Sequence, residues 1–123
     1  MTEARRSKHS HALPNYEKAV ILRDKLEGYV LNPSHDEGKH KARVFKSALG
    51  FEQSDWEELK RRILEELPYQ EAILQGEGLW GRKYLVILPI VGLNANTADV
   101  ETVWIIRPKT GFPTLVTTLV AKR

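Results

Sequence analysis

Polar and apolar positions divide the chain into a helical half and a stranded half. Leu22, Leu26, Tyr29 and Val30 recur at i, i+4, i+7 and i+8, which predicts one face of a helix. Gly28 weakens that helix by about 1 kcal/mol relative to alanine, and Asn32-Pro33 ends it, because the residue before proline is pushed out of the helical region. A second helix is predicted from about Lys39 to Leu49. Ala42, Phe45, Ala48 and Leu49 form its apolar face, Lys39, Arg43 and Lys46 form its basic one, and Gly50 is its left-handed terminator. Ser54-Asp55-Trp56-Glu57 matches a capping box, and the stripe Trp56, Leu59, Ile63, Leu67 runs from it to Pro68. Ahead of these, Ala19–Ile21 is a short apolar piece with the look of an edge strand, and residues 1–13 are expected as a flexible basic arm.

Beyond Pro68 the period changes. Residues 71–75, 83–91, 100–107 and 114–120 are rich in Val, Ile, Leu, Thr and Tyr and are separated by Gly, Asn and Pro. Short connections make neighbouring strands antiparallel. The expected fold is therefore α+β: N-terminal helices packed on one face of a C-terminal four-stranded antiparallel β-sheet, in a single domain over residues 14–123. Strict alternation places Val103, Ile105 and Arg107 on one face of the third strand and Trp104 and Ile106 on the other. In the last strand it groups Leu115, Thr117 and Leu119 against Thr114, Val116 and Thr118.

Composition narrows the chemistry. The chain of 123 residues has no cysteine, which excludes a disulfide framework, a thiol nucleophile and cysteine-ligated metal. Lys and Arg number 19 against 16 acidic residues, for a net charge of +3, a mild basic balance. The longest apolar run, Tyr84–Leu93, is too short to span a bilayer and contains Pro89. The N-terminus lacks the apolar stretch of a signal peptide, so a cytoplasmic location is expected.

No phosphate-binding glycine loop, dinucleotide fingerprint, zinc-protease motif or serine elbow occurs. The densest reactive stretch is His35-Asp36-Glu37-Gly38-Lys39-His40-Lys41, leading into a helix N-terminus. Histidines exchange protons near neutral pH, and Lys39, Lys41 and Arg43 suit a phosphoryl anion. These are the parts of a metal-independent ribonuclease, and equally of an ordinary solvated helix start. His35, Asp36, Glu37 and His40 as metal ligands is a poorer reading, because a helix splays such neighbours apart. Arg82 and Arg107, with Thr117 and Thr118, offer cations and hydroxyls on the sheet, and Trp80 or Tyr84 offers a ring for a base.

The residues Leu13-Pro14-Asn15-Tyr16, Gly38-Lys39-His40-Lys41-Ala42-Arg43-Val44-Phe45, Gly81-Arg82-Lys83-Tyr84, Thr102-Val103-Trp104-Ile105-Ile106 and Pro113-Thr114-Leu115-Val116-Thr117 resemble the pattern of an uncharacterised bacterial toxin-associated domain family. The layout is similar to the barnase/EndoU/colicin/RelE group of metal-independent ribonucleases. The resemblance implies a toxin-like endoribonuclease without a cofactor, acting on RNA and held by a small antitoxin-like protein. It carries over Lys41 and Thr117 first. His40 and His35 follow as proton carriers, Arg107 as a phosphate ligand, and Lys39, Arg43 and Arg82 as RNA contacts. Thr114 departs from the family, standing where relatives have arginine. The competing expectation is a non-catalytic module that pairs with a small antitoxin-like partner.

Overall fold

A computed structural model describes residues 6–121. Four strands, β1 (Ala72–Gly78), β2 (Gly81–Val91), β3 (Thr97–Ile106) and β4 (Pro113–Val120), form an antiparallel meander in the order β1-β2-β3-β4. The helices precede them: α1 (Arg23–Lys25), α2 (Lys39–Leu49) and α3 (Trp56–Glu66). The expected α+β layout is the one observed.

Local chemistry explains most boundaries. The first helical stretch is shorter than its apolar period predicts. After α1 the chain widens into a π-turn over Leu26–Val30, where Leu31 N–H donates to Leu26 C=O (2.9 Å). Leu26 and Val30 are buried, but Leu22 faces solvent. α2 has the predicted bounds. It ends as Gly50 takes φ 77°, its N–H donating to Lys46 C=O (2.9 Å), the single bond of a left-handed glycine cap, while Phe51 N–H donates to Phe45 C=O (3.3 Å).

The cap of α3 differs from expectation. A 3-10 turn, Gln53–Asp55, is interposed, so the reciprocal box forms between Glu52 and Asp55, whose carboxylate accepts the Glu52 N–H (2.8 Å). Ser54 makes no cap.

The core lies between the helices and one sheet face. Tyr84, Val86, Leu88 and Ile90 of β2 meet Val100, Thr102, Trp104 and Ile106 of β3 and Leu115, Thr118 and Val120 of β4, beneath Phe45, Leu49, Leu59 and Ile63. β3 alternates as read from the sequence. β4 does not, because its register slips by one residue at Val116: Val103 pairs with Thr117, but Trp104 pairs with Leu115. The bulge moves Thr118 into the core and turns Thr117 outward, exchanging the faces expected for them. The outer face carries Leu85, Ile87, Val103, Ile105, Val116 and Leu119, all half-buried or exposed.

The stretch expected as an arm is described from Arg6 onward, and it runs along the domain. Arg6 pairs with Glu66 (2.6 Å) and lies over the Tyr69 ring (3.9 Å). His9 N–H donates to Pro68 C=O, Ala72 N–H donates to His11 C=O, and Leu13 is in the core. The expected edge-strand piece makes a single parallel bridge, with Val20 N–H donating to Pro113 C=O (2.8 Å) and Leu115 N–H to Val20 C=O (2.9 Å). Among the described residues no helix is long and apolar enough to cross a membrane.

Candidate functional site

The loop before α2 is closed by a histidine. His35 Nδ1 accepts the N–H groups of Glu37 (3.1 Å) and Gly38 (3.0 Å), and its ring meets Tyr29 edge-on (centroids 4.9 Å apart). Receiving these bonds leaves Nδ1 unprotonated in this arrangement. On the same side of α2, Lys41 Nζ donates to the Tyr29 hydroxyl (2.8 Å). His35 and Lys41 therefore flank one tyrosine.

The other side of α2 faces a cleft of about 720 Å3. Lys39, His40, Arg43 and Lys46 form one wall, because residues three and four apart share a helix face. Leu31, Pro33, Ala42 and Phe51 supply an apolar floor, and Glu52, Gln53 and Ser54 the opposite wall. That wall exists because Gly50 reverses the chain. Arg43 Nη2 approaches His40 Nδ1 (3.5 Å), and Lys46 reaches Glu52 (3.4 Å). Gln53 donates to Glu27 C=O (2.7 Å). The cleft is electropositive, since its one carboxylate already faces Lys46. It combines a proton-carrying imidazole with cations suited to an anionic ligand.

The remaining expected residues lie elsewhere. Arg82 and Arg107 line a second cleft of about 410 Å3 at the β1–β2 end of the sheet, with Asn15, Glu77 and Gly111. Arg82 Nη1 donates to the Tyr84 hydroxyl (3.1 Å). Thr117 is on the outer sheet face, opposite Val103, with its Oγ1 buried and unpartnered. The structure thus brings His40, Lys39 and Arg43 together, His35 and Lys41 together, and Arg82 and Arg107 together, with Thr117 apart from all three groups. Among the described residues no three His, Asp or Glu side chains converge as a metal-binding set.

Sequence reasoning placed Lys46 on the basic face with Lys39 and Arg43 but left it out of the candidate site, which the cleft includes. It also missed Tyr29 as the partner of Lys41, for which the sequence carries no sign.

No curated protein sequence matches the chain. Among solved structures, a chain of a contact-dependent growth inhibition toxin–immunity protein complex from Klebsiella pneumoniae 342 shares the fold. Its TM-score is 0.66 at 11% identity, over 89% of this chain and 98% of that one. A family profile described as "Domain of unknown function (DUF6883)" matches residues 12–122, and the chain belongs to that family.

Proposed function

We propose that this protein is the toxin-like member of a toxin–immunity pair and cleaves RNA without a metal, in the cytoplasm of its target. The observation that carries this reading is the cleft beside α2, where His40 stands among Lys39, Arg43 and Lys46 above an apolar floor. The fold shared with a chain of a toxin–immunity protein complex supports the biological setting.

The chemistry needs few parts. His40 takes the proton of a ribose 2′-hydroxyl as that oxygen attacks the adjacent phosphorus. The bond to the 5′-oxygen breaks, and that oxygen takes a proton from solvent. Lys39, Arg43 and Lys46 offset the charge that builds on the phosphorane. The products are a 2′,3′-cyclic phosphate and a 5′-hydroxyl. Incubating the protein with total RNA in EDTA tests this. Cleavage with cyclic-phosphate ends, lost in His40→Ala and in Arg43→Ala, is the expected result. Equal cleavage by wild type and both variants removes the site assignment, and no cleavage by the wild type removes the activity.

The outer sheet face favours a second reading, that of a non-catalytic module. Leu85, Ile87, Val103, Ile105 and Leu119 form a largely apolar surface of the kind a small protein partner covers. Under this reading Ile87→Lys abolishes co-purification with a small antitoxin-like protein, and RNA stays intact.

A further inference from the structure

The β1–β2 hairpin breaks the usual turn chemistry. Its tip is Leu79-Trp80, where polar or glycine residues are the rule. Leu79 is fully exposed, and Trp80 keeps 50% of its surface open. The positive φ at this hairpin falls on Gly81 (126°), just after the tip, and neither Leu79 nor Trp80 takes one. A large indole is therefore not needed to make this turn.

Its placement is specific. A Cβ on Gly78 would lie 2.8 Å from Trp80 Nε1 and 3.1 Å from Cδ1, so the indole rests against bare backbone. One side of the ring is supported by the hairpin and the rest faces water. Beside it opens the cleft of about 410 Å3 that holds Arg82 and Arg107, with Gly78 and Gly81 in its lining. Lys109 lies in the loop that leaves β3 at the same end of the sheet, where Ile106 pairs with both Arg82 and Pro113. Against these cations the cleft has one carboxylate, Glu77.

We infer that Trp80 is a stacking platform for an unpaired base of single-stranded RNA, with Arg107 and Arg82 holding the neighbouring phosphates. An aromatic ring offers any base a face, and nearby cations follow the backbone. A lipid surface would ask for a broader apolar tip than Leu79 and Trp80 supply. The site lies apart from the His40 cleft, and it rests on the proposed function only in that RNA is the ligand.

A 2′-O-methyl oligoribonucleotide tests it, since such a probe lacks the attacking hydroxyl and reports binding without cleavage. Quenching of indole fluorescence and the anisotropy of an end label are read together. Trp80→Ala loses about tenfold or more in affinity and the quenching with it, while Trp80→Phe keeps most of the affinity. Gly78→Ala, at a φ open to alanine, pushes the indole off its seat and weakens binding with the tryptophan still present. Arg107→Ala reduces the salt dependence by about one phosphate contact. Unchanged affinity in Trp80→Ala, or equal binding of a duplex of the same length, overturns the assignment. A protein that binds the probe through Trp80 and cuts no RNA overturns the cleavage reading and leaves this site standing.

Discussion

The Lys41 ammonium sits 2.8 Å from the Tyr29 hydroxyl and 4.8 Å from the centroid of the same ring. The residue carried over first from the family pattern thus braces the loop before α2, on the side away from the His40 cleft. Lys41→Ala is expected to lower stability by about 1 kcal/mol, and Tyr29→Phe by a similar amount. Urea unfolding checks both. RNA cleavage, read in parallel, should fall far less in Lys41→Ala than in His40→Ala.

His40 is exposed and closes no structural bond beyond its approach to Arg43. His40→Ala should therefore melt with the wild type, while cleavage drops by about 100-fold or more, the scale of a lost acid–base group. Equal loss of Tm and activity would mark it as structural.

Two threonines of adjacent strands should respond oppositely to the same change. Thr102 Oγ1 donates to Val86 C=O and accepts the Trp104 indole N–H, both at 2.8 Å, in the centre of the core. Thr102→Val strands both groups and should cost about 1–3 kcal/mol. Thr117 Oγ1 is buried without a partner, so Thr117→Val should be neutral or stabilising. Thermal unfolding separates the two.

Acid stability should depend on Glu58. Hydrogen bonds from Arg61, and then Arg62, hold its carboxyl at about 2, below the ordinary 4.5. The folded state therefore prefers the charged form. That contribution is complete above about pH 4.5 and is lost as the pH falls toward 2. Glu58→Gln should flatten the acid limb of a stability profile in that window, and added salt should shrink the difference because the pair faces solvent. An unchanged limb would show that the pair forms equally in the unfolded chain.

The legible parts of the fold were those set by local rules. α2 was readable to the residue because Phe45 and Leu49 mark its face and Gly50 its end. Trp104 and Ile106 fell on the core side because β3 alternates without interruption. β4 was misread beyond Val116, since a bulge adds a residue without leaving a sign in Leu115-Val116-Thr117-Thr118. Ser54 lost the cap to Glu52 and Asp55 because a 3-10 turn intervenes, which a pattern of Ser and Glu three apart does not register.

The candidate site was legible only as a list of reactive side chains. Which of them meet depends on helix rotation and on the reversal at Gly50. The same heptapeptide sends His40 to one side of α2 and His35 with Lys41 to the other.

The bridge between Val20 and β4 closes the fold across nearly its whole length of chain. Each strand of the meander pairs with its neighbour in sequence, so the sheet can zip up as the chain emerges. Val20, however, bonds to Pro113 and Leu115 at the other extreme of the polypeptide. Residues His9, His11 and Glu27 bond to elements that precede β4, but the Val20 backbone gains its partners only when the last strand arrives. A chain halted before β4 leaves the Val20 segment without its bridge, whereas a finished one ties the first and last parts of the fold together.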